Sequence, residues 1–246
     1  MRKFLLPLVL MLVLAFGAQA ESLAPGATGI PLSAAVAPEG GTAVYVQPME
    51  ASGIAATLEK GEKVTVEALG LYWCKAAFGS EGGTGYVPTA ALLFDDFGSL
   101  ENPEAGPRFA VFNVGMSPSG NWTMTLREGA GRKAAKMGSC IAGTVMLVLE
   151  KGKEYSLVHV GDKVGYLLTK YLTFYDAAMV SEKYAVVKND GNVNLRYDRR
   201  FGDTGISASL APGTVVTLIW DKKGWSCVET DGLQGYVVST FLDAAD

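Results

Sequence analysis

GLQGYVVSTFL, residues Gly232 to Leu242, reads as a tight turn, an apolar strand around a tyrosine, a short polar link and a hydrophobic pair. The chain repeats the phrase as GGTGYVPTAAL from Gly82 to Leu92 and as DKVGYLLTKYL from Asp162 to Leu172. Anchored on the glycine before each tyrosine (Gly85, Gly165, Gly235), all three copies reach a leucine seven residues later, at Leu92, Leu172 and Leu242. One unit has been written three times.

Working backwards from the anchors lengthens the match. A second glycine, at Gly61, Gly143 and Gly213, opens the valine-rich runs GEKVTV, GTVMLV and GTVVTL, 24, 22 and 22 residues before the anchor, so the first copy carries a two-residue insertion. An aromatic residue stands ten residues before the anchor at Tyr155 and Trp225, and twelve before it at Trp73, which puts the insertion in the hairpin between them. Further upstream VNLR (Val193 to Arg196) matches MTLR (Met124 to Arg127) and, more loosely, VYVQ (Val44 to Gln47). Solenoid repeats run about 20–50 residues and bury a core only by stacking. Anchors 80 and 70 residues apart instead predict small separate domains of five short strands, over residues 41–94, 107–175 and 182–246. The links FDDFGSLENPEAGP and DAAMVSE are short, and the Ala-, Gly- and Pro-rich stretch from Glu21 to Gly40 reads as a flexible lead.

Thirty glycines between valine-rich, aromatic-containing runs, with no long segment of 3.6-residue period, make the class all-β. Arg2 and Lys3 before the apolar run Phe4 to Phe16, followed by Ala18-Gln19-Ala20, have the form of a signal peptide over residues 1–20. The run is too short to span a bilayer, and no cysteine follows it to take a lipid, so the mature chain is expected to be secreted or periplasmic with no membrane anchor. Without Arg2 and Lys3, 19 basic residues face 25 acidic ones, a net charge of −6 that argues against nucleic acid as a partner. Three cysteines are too few, and of the wrong parity, for a disulfide framework.

The third copy, with VNLR, LAPGTVVTL, KKGWSCV and GLQGYVVSTFL, resembles a bacterial SH3-like (SH3b) domain over most of its length. The second copy resembles the family less closely, with a longer loop EGAGRKAAKMGSC, and the first least, with Gln47 for the arginine and Ala91 for an aromatic. The resemblance implies three tandem five-stranded, partly open barrels of a kind found in exported envelope proteins, where they bind cell-wall peptides beside a hydrolase domain. The three units leave no room for a hydrolase, so the chain is expected to be non-catalytic.

The residues point the same way. A cysteine hydrolase needs a thiolate within reach of a histidine. His159 is the one histidine, and Cys140 occupies a core slot three residues before the strand glycine, where a thiol is inert. Three scattered cysteines and one histidine have no zinc spacing, and Gly129 to Lys133 lacks the ending of a phosphate loop, so neither metal nor cofactor is expected.

What remains is surface chemistry. Strand side chains alternate, so with Val228 and Ser226 inward, Trp225 and Cys227 face out; likewise Trp73 and Tyr155 face out against Cys74 and Val158. Val87, Leu167 and Val237 are expected inward, with Tyr86, Tyr166 and Tyr236 beside them. In the SH3-like fold the expected groove joins Trp225, Val238 and Phe241 in the third copy, Tyr155, Leu168 and Tyr171 in the second, and Trp73, Pro88 and Ala91 in the first. Basic loops border it: Arg127, Arg132, Lys133 and Lys136 in one copy, Arg196, Arg199 and Arg200 in another. Planar guanidinium groups beside aromatic faces suit peptides rich in carboxylates. The plainer alternatives are aromatics that cover an open barrel end and loops that are simply solvated. The expected function is binding of envelope peptides, above all the peptide part of peptidoglycan; a scaffold that recruits or regulates a cell-wall enzyme is the alternative, and a degenerate hydrolase or inhibitor a third reading.

Overall fold

Each copy folds as one seven-stranded antiparallel sheet, and all three sheets have the same strand order. The structure, a computed structural model, describes residues 26–94, 108–113, 122–200, 202 and 204–245. The first unit holds β1 (Leu32–Val36), β2 (Thr42–Tyr45), β3 (Ile54–Leu58), β4 (Lys63–Ala68), β5 (Trp73–Phe78), β6 (Gly83–Pro88) and β7 (Leu92–Phe94). The second holds β8 (Phe109–Phe112), β9 (Thr123–Arg127), β10 (Lys136–Ile141), β11 (Val145–Glu150), β12 (Tyr155–Val160), β13 (Lys163–Leu168) and β14 (Leu172–Tyr175). The third holds β15 (Tyr184–Val187), β16 (Val193–Arg196), β17 (Ile206–Leu210), β18 (Val215–Lys222), β19 (Trp225–Thr230), β20 (Leu233–Val238) and β21 (Leu242–Ala245). In the first unit the order is β3-β2-β6-β5-β4-β1-β7, and the others repeat it; the sheets curl without closing. Register shifts in β4, β11 and β18, between Val66 and Ala68, Val148 and Glu150, and Leu218 and Trp220, mark bulges at which the long hairpin bends.

The repeated glycines have a local cause. Gly61, Gly143 and Gly213 stand at φ +81°, +93° and +81°, a left-handed conformation that side chains other than glycine's disfavour, and each reverses the chain just before a valine-rich strand. The phrase after the anchor is a strand, one turn of 3-10 helix and the short last strand: Thr89–Ala91 before β7, Thr169–Tyr171 before β14 and Ser239–Phe241 before β21. Val87, Leu167 and Val237 are fully buried, as the alternation requires.

Three expectations are corrected. Seven strands form where five were read, because each unit's opening strand pairs with its last: β1 with β7, β8 with β14 and β15 with β21. Part of the supposed lead is one of these strands, with Leu32, Ala34 and Val36 buried in alternation in the first core. The first copy also aligns two residues earlier than VYVQ, since Tyr45 pairs with Tyr86 as Arg127 pairs with Tyr166 and Arg196 with Tyr236. The residue in the arginine slot is Tyr45.

The units are packed together. The first core takes in Phe109, Val111, Val145 and Leu147 of the second unit, and Phe94 meets Phe109 edge on at 6.0 Å. Trp122 stacks on Tyr197 at 4.5 Å between the second and third units, and Met179 N–H, in the second link, donates to Leu71 C=O at 2.8 Å. The signal-peptide reading and the link 95–107 lie outside the described residues. Among those residues no helix is long and apolar enough to cross a membrane.

Candidate binding surface

The cross-strand register brings the expected groove pairs together: Trp225 opposite Val238, Tyr155 opposite Leu168, Trp73 opposite Pro88. Phe241 and Tyr171 close the adjacent 3-10 turns, while Ala91 of the first unit is buried. Beneath each pair lies a latch that sequence reasoning missed. The inward residue after the aromatic meets a hydroxyl at the start of the 3-10 turn: Cys74 Sγ with Thr89 Oγ1 at 3.4 Å, Ser156 Oγ with Thr169 Oγ1 at 2.8 Å, Ser226 Oγ with Ser239 Oγ at 2.9 Å. Thr89 and Thr169 then donate to the carbonyls of Gly70 and Gly152, and Ser239 to Asp221. The signal for it was present, a hydroxyl residue four positions after each anchor glycine.

The aromatics themselves are not exposed. Trp73, Tyr155 and Trp225 are only 8%, 8% and 9% accessible, and Cys227 is buried, against the expectation that the outward Trp225 and Cys227 are exposed. The alternation holds, since Val228 lies in the core, but all six residues of β19 are buried because its outer face is covered as well. Glu229 of that face, 4% accessible, accepts from the backbone N–H of Tyr72 in the first unit at 3.1 Å and from Gln234 Nε2 at 2.8 Å. Trp73 packs edge on against Tyr45 at 5.4 Å and beside Tyr184 of the third unit at 6.5 Å. In the second unit, His159 takes the place of Glu229, and its Nε2 lies 3.2 Å from Ile30 C=O.

The arginines divide into two kinds. Arg196 is buried, and its Nη1 donates to the carbonyls of Gly202 and Thr204 at 2.9 and 3.1 Å. Arg127 Nη1 likewise donates to Ala134 C=O at 2.8 Å. Both tie their own loops through Nη1. Arg199 instead lies over the rings of Trp220 and Tyr236, 5.8 and 5.7 Å from their centroids, and Arg200 pairs with Asp198 at 2.5 Å. Arg132, Lys133 and Lys136 are exposed. Trp220, absent from the expected site, pairs with Cys227 across β18 and β19, and Cys227 pairs with Tyr236. The accessible side chains of the third unit therefore include Phe241, 37% accessible, the half-buried Val238, and the cluster of Arg199, Trp220 and Tyr236.

Burial pushes the thiols of Cys74, Cys140 and Cys227 up to about 12, far from the thiolate form a nucleophile needs, and the Glu229 carboxyl up to about 7. Among the described residues no group of three His, Cys, Asp or Glu side chains could hold a metal ion.

No family model matches the chain. It is 24% identical over 200 residues to the "Putative N-acetylmuramoyl-L-alanine amidase YrvJ" of Bacillus subtilis (strain 168), a stretch that covers 77% of this chain and 37% of that protein. The chain thus spans just over a third of the curated relative it matches. Among solved structures it is similar to NlpC2 from Trichomonas vaginalis, at 6% identity and a TM-score of 0.25, covering 89% of this chain and 97% of that one. It is also similar to an NlpC/P60 family protein from Bacillus cereus ATCC 10987, at 9% identity and a TM-score of 0.28, covering 86% and 98%. Scores this low carry no argument about shared architecture. The expectation of a non-catalytic chain is corrected by these comparisons, because the relative matched over most of this chain is named as an enzyme.

Proposed function

We propose that this chain acts outside the cytoplasm at the cell wall, that its three units are bacterial SH3-like domains, and that they bind the peptide part of peptidoglycan. The observation that carries the reading is the 200-residue likeness to a protein named as an amidase of N-acetylmuramoyl-L-alanine, a bond between wall glycan and wall peptide. The accessible side chains of the third unit support it. Arg199 offers a guanidinium group held over two aromatic faces, and Phe241 and Val238 add apolar side chains, which together match a short peptide bearing carboxylates and methyl groups. The second unit contributes Leu168 and Tyr171 with the exposed Arg132 and Lys133; the first keeps Pro88 beside Trp73. Three weak contacts on one chain raise each other's effective concentration into the millimolar range, enough to hold a protein on a polymeric wall.

Co-sedimentation with purified, protein-free sacculi tests the reading: the wild-type chain pellets with them, and the Arg199→Ala/Trp220→Ala variant stays in solution. Release of soluble fragments, followed in the same tubes, separates cleavage from binding. A chain that ignores sacculi but captures a wall enzyme replaces this reading with a scaffold.

A further inference from the structure

In two of the three units the same strand edge is covered by another part of the chain. In the second, Val164 N–H donates to Ala27 C=O at 3.0 Å, its own carbonyl accepts from Gly26 N–H at 3.2 Å, and Asp162 C=O accepts from Ile30 N–H at 3.1 Å, so residues 26–30 add an antiparallel segment to β13. In the third, Gln234 N–H donates to Gly143 C=O and Gly232 C=O accepts from Val145 N–H, both at 2.9 Å, so the turn that opens β11 lies antiparallel to β20. Val164 and Gln234 are buried as a result.

The equivalent positions in the first unit are Gly82 and Thr84. Thr84 pairs with Ala77 as Val164 does with His159 and Gln234 with Glu229, so its N–H and C=O point away from β5 in the same way. Both Gly82 and Thr84 are exposed, and among the described residues no segment bonds to this edge.

The matching half is also in the molecule. The segment that covers the third unit, Gly143-Thr144-Val145, recurs letter for letter as Gly213-Thr214-Val215. The two turns are held by the same bonds: Gly143 N–H to Phe112 C=O and Phe112 N–H to Thr144 C=O, against Gly213 N–H to Val187 C=O and Val187 N–H to Thr214 C=O. Gly213 C=O and Val215 N–H therefore project as those of Gly143 and Val145 do. A Cβ at Gly143 would lie 1.9 Å from Gln234 O, whereas one at Gly213 would meet nothing within 4 Å. The first unit's version of the turn is Gly61-Glu62-Lys63, with two charges in place of threonine and valine.

We propose that the occupant of the Gly82–Thr84 edge is the Gly213-Thr214-Val215 turn of a second copy of this chain. The contact repeats between molecules the junction that joins the second and third units within one. Donor and acceptor lie on different units, so the association is head to tail and forms a ring or a filament according to the angle. Main-chain bonds supply the register, as in other strand additions to a free sheet edge.

A mixed sample tests it in solution. One copy carries a nitroxide at Ala211→Cys, an exposed position two residues before the turn, while the native thiols are buried; the other copy is 15N-labelled and unmodified. The expected result is loss of amide signal concentrated at Gly82 to Gly85. That loss disappears when the nitroxide copy also carries Gly213→Asn, since asparagine tolerates positive φ but places a Cβ against the Thr84 carbonyl. Thr84→Pro in the 15N copy gives an independent check, because it removes an N–H that bonds to nothing within the unit, and the effect on Gly83 and Gly85 should vanish with it. Broadening centred on Val164 or Gln234, broadening indifferent to both variants, or none at millimolar protein would overturn the proposal.

Discussion

Glu229 Oε1 in the third unit accepts a hydrogen bond from the backbone N–H of Tyr72 in the first, across 157 residues of sequence. The contact is close enough to dictate the opposing residue: a Cβ at Gly70 would lie 2.6 Å from the same oxygen. A buried carboxylate between two units has consequences that can be measured.

Burial raises the Glu229 carboxyl from 4.5 to about 7, so the folded, docked state favours the protonated form. The sign follows from linkage: the ionised group is disfavoured on folding, the penalty is absent below pH 4.5, and it grows until the pH passes about 7. Thermal unfolding at a series of pH values should show stability falling through that window, by up to about 3 kcal/mol if the whole shift is expressed. Glu229→Gln keeps an acceptor for Tyr72 and should flatten the profile while stabilising the protein at pH 8. A variant as pH-dependent as the wild type would show that Glu229 does not govern the response.

Trp225→Ala should destabilise the third unit. The indole is buried, and removal of a buried tryptophan commonly costs about 3–5 kcal/mol. Urea unfolding should show at least half of that loss. Unchanged stability would mean that the ring is a surface group after all.

Cys74, Cys140 and Cys227 should resist thiol reagents until the chain unfolds, since all three are buried and held near a pKa of about 12. Counting maleimide additions by mass, with and without denaturant, checks this; one native addition at Cys227 would show that the outer face of β19 opens.

Much of this was legible because it is local. Spacing from the anchor glycines located the turns and strand alternation agreed with the inward set of Val87, Leu167 and Val237, since strand period is fixed by near neighbours. What covers an outward face is decided by residues far away in the chain. Nothing near WSCVET announces that Glu229 meets Tyr72, and the correct alternation still led to an incorrect exposure for Trp225 and Cys227. The lead misread for a related reason: the strand LSAAV is made of small residues, and its partners, β4 and β7, lie 30 to 60 residues on. The burial of Arg196 and its two loop bonds were not legible either, because a buried arginine that ties a loop looks, in sequence, like an exposed one.

Arg196→Ala should therefore act on stability. It strands the Gly202 and Thr204 carbonyls, each of which then has to find water or go unpaired, a loss of about 1–3 kcal/mol. Hydrogen exchange should quicken across the loop 197–205 ahead of global unfolding, and an unaltered loop would assign the arginine to ligand.

The binding energy of the third unit should lie with Arg199 and Trp220. Arg199 is exposed and stays over the Trp220 and Tyr236 rings, so its replacement leaves the core untouched. Cation and ring contacts of this kind are worth about 0.5–1 kcal/mol at an exposed site. A ligand carboxylate that closes over the guanidinium adds a charge-assisted bond worth about 1.5–3 kcal/mol. Arg199→Ala should accordingly weaken capture by sacculi by about tenfold and remove most of its salt dependence, whereas Arg199→Lys keeps the charge, loses the planar fork and should recover only part of the binding. Trp220→Ala removes the platform and should cost a similar factor with the salt dependence retained. If Arg199→Ala binds as well as the wild type at low salt while Arg132→Ala/Lys133→Ala does not, the carboxylate site belongs to the second unit.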